Sequence, residues 1–450
     1  MVNIEFFGSL ASTPLATDSE SPVTYTNQRF SVDSNGDIVQ FLTYISEPLG
    51  QPPQYGYGWP RFDFEQAIGD GEWIIKRKLG WGMSSSIWLA FDQKKNCYVA
   101  VKALKSAENM RARRGDSFEF EALQAVTVTK TPSKHCLELL AACNVTGKGE
   151  DGNHLCYITQ LQGDNVAKLM GNDTFPLPLA KRIILHTLRG IVHTHKHGFI
   201  HTDLKLDNIL IDCAMSTEDI TSLLISDPSR RHDPEYSDDG IVQAAVSQPL
   251  PLPSFADAMK RTFLLGDYGH AQPLSDRPPR SIAIAPHRPP ESIILSPWNE
   301  KADIWQFGCV VNPLAPIQMS GVLTESARKA FELITARLPF DLESRPEYKL
   351  NEEAILLYQM MNITQEVFSP DRLANGERCN DFFDKDGNFL STQPLPSVDD
   401  LVTKIKKFTQ LEEADVVLTA QFLSRCFRLN PEDRPDGLEL LSDPFFTGVD

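Results

Sequence analysis

The spacing of apolar residues divides the chain into a strand-rich part and a helical part. The runs EWIIKRKLG, SSIWLAFD and CYVAVKAL lie between residues 72 and 104 and predict successive β-strands, and LCYITQL (155–161) predicts another. The spacing in SFEFEALQAV (117–126) is helical, and helical spacing dominates after about residue 165, as in PLPLAKRIILHTLRGIVHTHKHG (176–198). A small strand-rich part before a larger helical part predicts an α+β protein of two lobes with a cleft between them.

Several segments depart from this pattern. Residues 1–45 are rich in Ser, Thr and Asp without clear periodicity, which predicts a flexible N-terminal arm. Residues 212–262 contain SDPSRRHDPEYSDDG and SQPLPLPS, which predict a polar, proline-rich inserted loop. A second insertion, at residues 370–396, contains the turn sequence DKDGN.

A third insertion, at residues 312–329, separates DIWQFGCVV from FELITARLPF, two runs that would otherwise join into one long apolar helix. Pro313 and Pro316 lie inside it, and a proline in a helix interior costs about 3 kcal/mol. The helix is therefore expected to end near Val311, or the segment to loop out. A natural insertion and a retained intron both explain the segment, and we favour the intron.

Composition narrows the classes of protein to consider. The 450 residues are 41% hydrophobic, and no stretch reaches the roughly 18 apolar residues of a membrane helix. The start, MVNIEFFGSL, lacks the features of a signal peptide, so we expect an intracellular protein. The eight cysteines include no C-x-x-C pair, which indicates reduced thiols. A net charge of −17 argues against direct nucleic-acid binding and favours a basic partner, although acidity that only aids solubility explains it equally well.

The decapeptide HTDLKLDNIL (201–210) combines side chains that phosphoryl transfer requires. Asp203 can accept the proton of an attacking hydroxyl, and Lys205 can neutralise charge on the transferred group. Asn208 offers an amide oxygen to a magnesium ion. A strand and turn with a capping aspartate would explain this fragment alone.

Motifs upstream of the decapeptide point to a nucleotide. LGWGMSSSIWLA (79–90) places Gly80 and Gly82 in a turn between strands, where bare backbone can approach phosphates, although Ser85 stands at the position of a third glycine. The strand VAVK ends at Lys102, which can hold the α- and β-phosphates. A carboxylate on the next helix, Glu119 or Glu121, is expected to pair with this lysine.

Motifs downstream complete the set. DYG (267–269) follows an apolar strand and supplies Asp267 for magnesium. RPPE ends in Glu291, for which Arg434 is the expected buried partner. Asp303 is expected to hold the backbone of the 201–208 loop. Each motif alone is modest evidence for phosphoryl transfer, but all of them in this order along one chain are strong evidence for it.

With these motifs, residues 55–447 resemble a eukaryotic protein kinase. LGWGMSSSIWLAFD, HTDLK and the late stretch EEAILLYQMM…CNDFFDKDGNFL resemble the SR-protein kinases, especially their divergent fungal members. The resemblance implies a bilobal kinase fold, with an N-lobe at about 55–163 and a C-lobe at about 164–447. It also implies Mg²⁺ and ATP as cofactors.

Residue roles follow from the same resemblance. It implies that Asp203 is the catalytic base, that Lys102 and Glu119 hold the phosphates, and that Asn208 and Asp267 bind metal. Thr159 falls at the gatekeeper position, and residues 160–162 form the adenine hinge. The implied ATP contacts are Leu79, Gly80, Trp81, Gly82, Met83, Ser84, Ser85, Ser86, Ile87, Ala100, Lys102, Thr159, Gln160, Leu161 and Gln162.

Thr202 stands where most kinases have an arginine that binds a phosphate on the activation loop. Threonine carries no such charge, so we expect the loop to be ordered by packing alone. Ser275 and Ser281 are the only serine or threonine residues between Asp267 and Glu291 that could be phosphorylated. We therefore expect activity without activation-loop phosphorylation.

The resemblance further implies serine/threonine phosphorylation of basic Arg/Ser-rich proteins in mRNA processing, by a monomer in cytoplasm and nucleus that binds no nucleic acid or membrane. Glu347, Glu352 and Glu353 lie near the candidate docking region, although a solvated helix start explains them equally well. A pseudokinase scaffold, damaged by the 312–329 insertion, is the alternative. A small-molecule phosphotransferase shares H-x-D-x-x-x-x-N, but RPPE with Arg434 disfavours it.

Overall fold

The computed structural model describes residues 30–32, 38–40, 46–171, 175–275, 282–283, 287–311, 340, 350–390, 397–408 and 411–450. The predicted 312–329 insertion, most of the predicted arm, Glu347 and Ser281 lie outside the described residues. Contacts between residues divide the chain into two compact units. The first unit takes residues 1–109, 140–158 and 220–248, and the second takes 110–139, 159–219 and 249–450.

The strands form one larger sheet and several small ones. Strands β3 to β8 form a six-stranded sheet in the order β3-β4-β5-β6-β8-β7, in which β3 to β6 pair antiparallel. Strands β4, β5, β6 and β8 coincide with the four runs that the sequence predicted. In chain order the strands are β1 Phe30–Val32, β2 Ile38–Gln40, β3 Ala67–Ile68, β4 Trp73–Trp81, β5 Ser85–Asp92, β6 Cys97–Leu104, β7 Leu139–Thr146, β8 Asn153–Gln160, β9 Gln162–Asn165, β10 Phe199–Ile200, β11 Ile209–Asp212, β12 Glu235–Ser237, β13 Gly240–Val242, β14 Phe263–Leu265 and β15 Gln272–Pro273.

Helices dominate the second unit, as the sequence predicted. The helices in chain order are α1 Ser106–Arg113, α2 Glu119–Thr127, α3 Val166–Met170, α4 Leu177–Lys196, α5 Thr217–Ser226, α6 Phe255–Ala258, α7 Pro290–Ile293, α8 Lys301–Val311, α9 Glu352–Thr364, α10 Pro370–Ala374, α11 Leu401–Phe408, α12 Glu413–Cys426 and α13 Gly437–Leu440. None of the helices in the described residues is both long and apolar enough to cross a membrane.

The core of the first unit lies on its six-stranded sheet. Trp88, Val99 and Val101 are buried there, because alternate residues of a strand face the same side of a sheet. A second apolar cluster joins Leu49 and Trp59 to residues of the predicted 212–262 loop.

The prediction that residues 212–262 form a loop is wrong. The segment contains helices α5 and α6 and the antiparallel hairpin of β12 and β13. Val242 and Ala244, at the end of this hairpin, are buried against Leu49 and Trp59. Charged and turn-forming residues dominate the segment, so its few apolar anchors gave no clear period in the sequence.

The 201–208 loop of the second unit lies between two small sheets. Strand β10 ends immediately before this loop and pairs with β15. Strand β11 follows the loop and pairs with β14 and β9. The buried helix α4 leads into β10, so both ends of the loop are attached to packed structure.

Candidate functional site

The start of the 201–208 loop is held by one carboxylate of helix α8. Asp303 accepts hydrogen bonds from the backbone N–H of His201 and of Thr202, both at 2.8 Å. His195 Nε2 lies 2.8 Å from the same carboxylate. Asp303 is completely buried, so these donors compensate its desolvation. The sequence prediction that Asp303 holds this backbone is confirmed.

Asp203, Lys205 and Asn208 come together in the second unit. Lys205 Nζ lies 2.6 Å from Asp203 Oδ2, and the Asn208 amide nitrogen donates to the same oxygen at 3.0 Å. Asn208 also donates to the Asp203 carbonyl oxygen at 2.8 Å. Since its nitrogen is engaged in this way, the oxygen of the Asn208 amide is the atom left for a metal ion.

Opposing effects act on the ionisation of Asp203. Burial acts to raise its pKa, but the Lys205 ammonium, by charge and by hydrogen bond, outweighs burial with help from His270 and His201, and the net pKa is lowered. The carboxylate is therefore ionised near neutral pH, as an acceptor of protons must be.

His201 connects this loop to the strand that precedes Asp267. Its Nε2 lies 2.9 Å from the carbonyl oxygen of Gly266, which can only accept, so Nε2 carries the proton. Nδ1 then accepts from the N–H of Asp203 at 3.3 Å. The imidazole is fully buried and its ring centroid lies 5.1 Å from that of Tyr268.

The two predicted metal ligands lie on neighbouring chain segments. The N–H of Gly266 donates to the Asn208 carbonyl oxygen at 2.9 Å, next to the paired strands β11 and β14. Asp267 follows immediately, with a φ of 54°, in the left-handed region that non-glycine residues rarely adopt. Such strained residues concentrate at functional sites.

Thr202 is the second non-glycine residue of the site in the left-handed region, with a φ of 63°. Its hydroxyl donates to the carbonyl oxygen of His270 at 2.7 Å. Thr202 thus binds the residue that follows DYG directly, through a neutral hydrogen bond.

The glycine loop (residues 80–85) connects β4 and β5 in the first unit. Gly82 donates to the Ser85 carbonyl oxygen at 2.9 Å, and Gly80 pairs with Ile87 across the hairpin. A Cβ atom added at either glycine would meet no atom within 4 Å, and Met83 is 91% exposed. Contacts within the described residues therefore do not explain the glycines, whereas a ligand that approaches the backbone would.

Lys102 and the two candidate partner glutamates belong to different units. Lys102 lies on β6, opposite Ile87 of β5. Glu119 begins helix α2 and is buried, whereas Glu121 is exposed. Burial therefore distinguishes the two glutamates, which the sequence left as alternatives.

The predicted hinge lies at the junction of two strands. Thr159 is buried near the end of β8, and Gln162 begins β9. Gln160 is exposed, and Leu161 lies between the strands. The remaining predicted ATP contacts, on β4, β5 and β6, are Leu79, Trp81, Ser86 and Ala100, and Ser84 lies in the glycine loop.

The predicted buried ion pair is confirmed. Arg434 binds Glu291 through two bonds of 2.7 Å, and both side chains are completely buried. The guanidinium also lies 5.1 Å from the ring centroid of Trp305. A bidentate pair of this kind satisfies most of the polar atoms that burial removes from water.

Two contacts of the 201–208 loop were missed by sequence reasoning. The N–H of Leu204 donates to Gln306 Oε1 at 2.9 Å, and the Leu204 carbonyl oxygen accepts from His287 Nδ1 at 2.9 Å. Gln306 lies three residues after Asp303 on α8, a spacing that places both on one helix face and was the available signal. His287 gave no comparable signal, because it lies far from the loop in sequence.

Comparisons with known proteins agree with this arrangement. The family "Protein kinase domain" matches residues 73–232. "Serine/threonine-protein kinase SRPK" of Physarum polycephalum is 26% identical over 394 residues, which cover 83% of this chain and 86% of the relative. "Serine/threonine-protein kinase SKY1" of Saccharomyces cerevisiae is 34% identical over 153 residues, which cover 32% of this chain and only 20% of the relative.

A solved structure agrees at the level of the fold. The crystal structure of a kinase domain aligns with a TM-score of 0.58 and 20% identity, over 85% of this chain and 97% of that chain. The antiparallel sheet followed by a largely helical region is thus a known arrangement.

Proposed function

Since residues 73–232 match the family "Protein kinase domain" and the fold is that of a kinase domain, we propose that this chain is an active serine/threonine kinase that transfers the γ-phosphate of ATP to proteins. The observation that carries the proposal is the contact between Asp203 and Lys205, at 2.6 Å, beside the amide of Asn208. The buried, ionised Asp203 would accept the proton of the substrate hydroxyl. Lys205 would neutralise charge on the phosphoryl group in transfer.

The donor atoms of the second unit fit Mg²⁺. Asp267 and Asn208 offer a carboxylate and an amide oxygen, and Mg²⁺ binds through one or two such ligands together with substrate phosphates. Bound there, Mg²⁺ would neutralise phosphate charge. No cluster of three or more His, Cys, Asp or Glu side chains suited to a metal occurs in the described residues. Substrate phosphates and water would be the other ligands of the ion.

Each unit contains residues that we propose for ATP binding. In the first unit the bare backbone at Gly80 and Gly82 and the Lys102 ammonium suit phosphates. In the second unit Glu119 is the carboxylate that we propose for this function, and the backbone after Thr159 would contact adenine. The buried position of Glu119 supports it over Glu121.

Basic Arg/Ser-rich proteins are the substrate class that we propose, with roles in mRNA processing in cytoplasm and nucleus and a monomeric enzyme. The similarity to SRPK of Physarum polycephalum and the net charge of −17 support it. Glu353 is a poor docking residue, because its two oxygens bind Arg288 and Arg378, each at 2.7 Å. The exposed Glu352 remains a candidate.

A direct assay tests the proposal. Purified protein is incubated with radiolabelled ATP and Mg²⁺, with an Arg-Ser peptide, with myelin basic protein, or without substrate. We expect phosphate transfer to the peptide above the other two reactions. Transfer to myelin basic protein alone would contradict the substrate class, and no transfer with any substrate would contradict the enzyme.

Nucleotide binding is tested separately by thermal shift. Lys102→Ala removes a phosphate contact and Asp267→Ala removes a metal ligand, so both variants should gain less melting temperature from ATP and Mg²⁺ than the wild type. An equal gain in all three proteins would show that these residues do not bind the nucleotide.

A further inference from the structure

Both backbone polar atoms of Leu204 are bound by side chains from elsewhere in the second unit. Gln306 Oε1 of helix α8 accepts the Leu204 N–H at 2.9 Å. His287 Nδ1, four residues before Glu291 along the chain, donates to the Leu204 carbonyl oxygen at 2.9 Å. Gln306 and His287 are completely buried. Leu204 separates Asp203 from Lys205, so the peptide units attached to both candidate catalytic side chains are held from two sides.

The amide of Gln306 can adopt only one useful orientation. Its oxygen must face the Leu204 N–H, because a flipped amide would bring two donors together. Among the described residues its nitrogen, Nε2, is buried and has no hydrogen-bond partner. A buried donor without a partner destabilises a fold, so an apolar residue of equal length would suit stability better at this position. The glutamine is therefore explained by the loop that it holds.

Helix α8 presents a row of acceptors to this loop. Asp303 accepts from His201 and Thr202, and Gln306, three residues later on the same face, accepts from Leu204. Three N–H groups of the loop thus bind one helix face, which fixes the position of the loop along the helix.

Resting on the proposed kinase activity, we propose that Gln306 and His287 are positioning residues for phosphoryl transfer. Their bonds to Leu204 fix the directions in which the flanking side chains of Asp203 and Lys205 leave the backbone. Neither residue touches the reacting atoms in this proposal. Reaction rates are sensitive to such placement, because misplacing a catalytic group by about 1 Å costs up to about 10²-fold.

Gln306→Met tests the acceptor, since methionine has a similar length and removes both the oxygen and the unpartnered nitrogen. We expect kcat to fall by roughly 10–100-fold, with unchanged KM for ATP and a melting temperature that does not fall. Thr419→Val is the matched control, because Thr419 is buried on helix α12 and its hydroxyl also has no partner in the described residues. This control should keep the wild-type kcat.

A pair of His287 variants tests the donor. His287→Asn places an amide nitrogen near the former Nδ1 and should keep most of the rate. His287→Gln carries its amide nearer the former Nε2 and should lower kcat like Gln306→Met. The double variant Gln306→Met/His287→Gln should lose less rate than the product of the single losses, because both act on one peptide.

Exchange of the Leu204 amide hydrogen separates this inference from the proposed function. Gln306→Met should exchange this hydrogen faster than the wild type and than Thr419→Val, with no substrate present. A wild type without phosphotransfer would refute the enzyme, while the exchange rate would still decide whether Gln306 holds the loop. The inference is overturned if Gln306→Met keeps the wild-type kcat, if its loss appears equally in ATP affinity, or if His287→Asn and His287→Gln lose rate equally.

Discussion

The 201–208 loop of the second unit and the glycine loop of the first are held in different ways. The 201–208 loop is held by buried side chains: Asp303 and Gln306 accept from three backbone N–H groups, those of His201, Thr202 and Leu204. The glycine loop has open space around both glycines and an exposed Met83. Its Trp81 contacts Trp59, with ring centroids 5.7 Å apart.

This difference separates the two tasks of the proposed enzyme. Proton transfer requires a carboxylate whose position is set before substrate arrives, which buried hydrogen bonds provide. Phosphate binding requires a backbone that a ligand can approach closely, and the open space beside Gly80 and Gly82 suits this. Changes in the 201–208 loop should therefore affect the rate of transfer, and changes near the glycine loop should affect stability or nucleotide affinity.

The largest effect is expected at the centre of the 201–208 loop. Asp203→Asn keeps the shape of the side chain but removes the base, so kcat should fall by about 10²–10⁴-fold. The stabilisation by ATP and Mg²⁺ should be largely kept, because the phosphates are proposed to bind other groups. Rates are compared by radiolabel transfer and binding by thermal shift. Wild-type turnover in this variant would refute the assignment of the base.

A second, smaller effect is expected where strand β4 leads to the glycine loop. Lys78 and Glu47 form an ion pair in which both side chains are at most 1% exposed. Burial lowers the pKa of Lys78, and the Glu47 carboxylate opposes this. Glu47→Gln leaves the ammonium buried without a countercharge, so the free energy of unfolding should fall by about 3–5 kcal/mol.

The same strand offers a matched control for this prediction. Lys76 pairs with Glu65 at 2.5 Å, but the Glu65 side chain is 68% exposed. Glu65→Gln should change the free energy of unfolding by less than about 1 kcal/mol, because solvent screens this pair. Both variants are measured by urea denaturation. Equal losses would show that burial of the first pair does not matter.

Much of this site could be predicted from the sequence, because its residues lie within short motifs. Asp203, Lys205 and Asn208 lie within six residues, and Asp303 and Glu291 lie in short motifs of their own, so the chemistry is visible in the spacing. The resemblance to SR-protein kinases that these motifs carry is confirmed by relatives of that name.

The parts that could not be predicted depend on contacts between distant residues. Glu47 and Lys78 form a buried pair although they lie 31 residues apart in the chain. The 212–262 segment buries only a few apolar side chains. His287 binds a carbonyl oxygen 83 residues away. No period or motif records such pairings, because each depends on the folded chain. The origin of the 312–329 insertion and the positions of the lobe boundaries stay predictions.

A third effect is expected on the free energy of unfolding in acid, because both units contain buried histidines. In the second unit the rings of His135 and His186 lie 4.4 Å apart. Burial lowers the pKa of His135 to about 4, and burial with repulsion from His135 lowers that of His186 to about 3. Arg182, Arg189 and Lys134 lower both further, while the Phe263 carbonyl opposes this at His135. In the first unit burial lowers the pKa of His154 to about 4.

These folded-state pKa values lie below the unfolded value of about 6.5, so the unfolded chain binds more protons in acid. The stability that the histidines contribute is present above about pH 6.5 and is lost as the pH falls towards about 4. Each pKa unit is worth about 1.4 kcal/mol, so the loss by about pH 5 should be a few kcal/mol.

Urea denaturation at about pH 7 and about pH 5 measures this loss while most carboxylates stay ionised. His186 Nδ1 accepts from the N–H of Phe263 at 3.2 Å. His186→Asn can place an amide acceptor at the same point without a titrating group, and should reduce the difference between the two pH values. An undiminished difference in this variant would show that His186 is not responsible.

The smallest effect is expected at Thr202, which lies in the 201–208 loop beside Asp203. Thr202→Val keeps the branched shape and removes the hydroxyl that donates to His270 at 2.7 Å. One neutral hydrogen bond is worth about 0.5–1.5 kcal/mol, so the rate should fall by only about 2–10-fold.

Phosphatase treatment should leave the wild type and Thr202→Val each at its own rate, because the hydrogen bond between Thr202 and His270 orders the segment after DYG without a phosphate. The two rates are measured before and after treatment in the same assay, with Ser275→Ala as a control for the one candidate serine in the described residues. A large loss on dephosphorylation of the wild type, absent in Ser275→Ala, would show that a phosphate orders this segment and that the hydroxyl of Thr202 does not suffice.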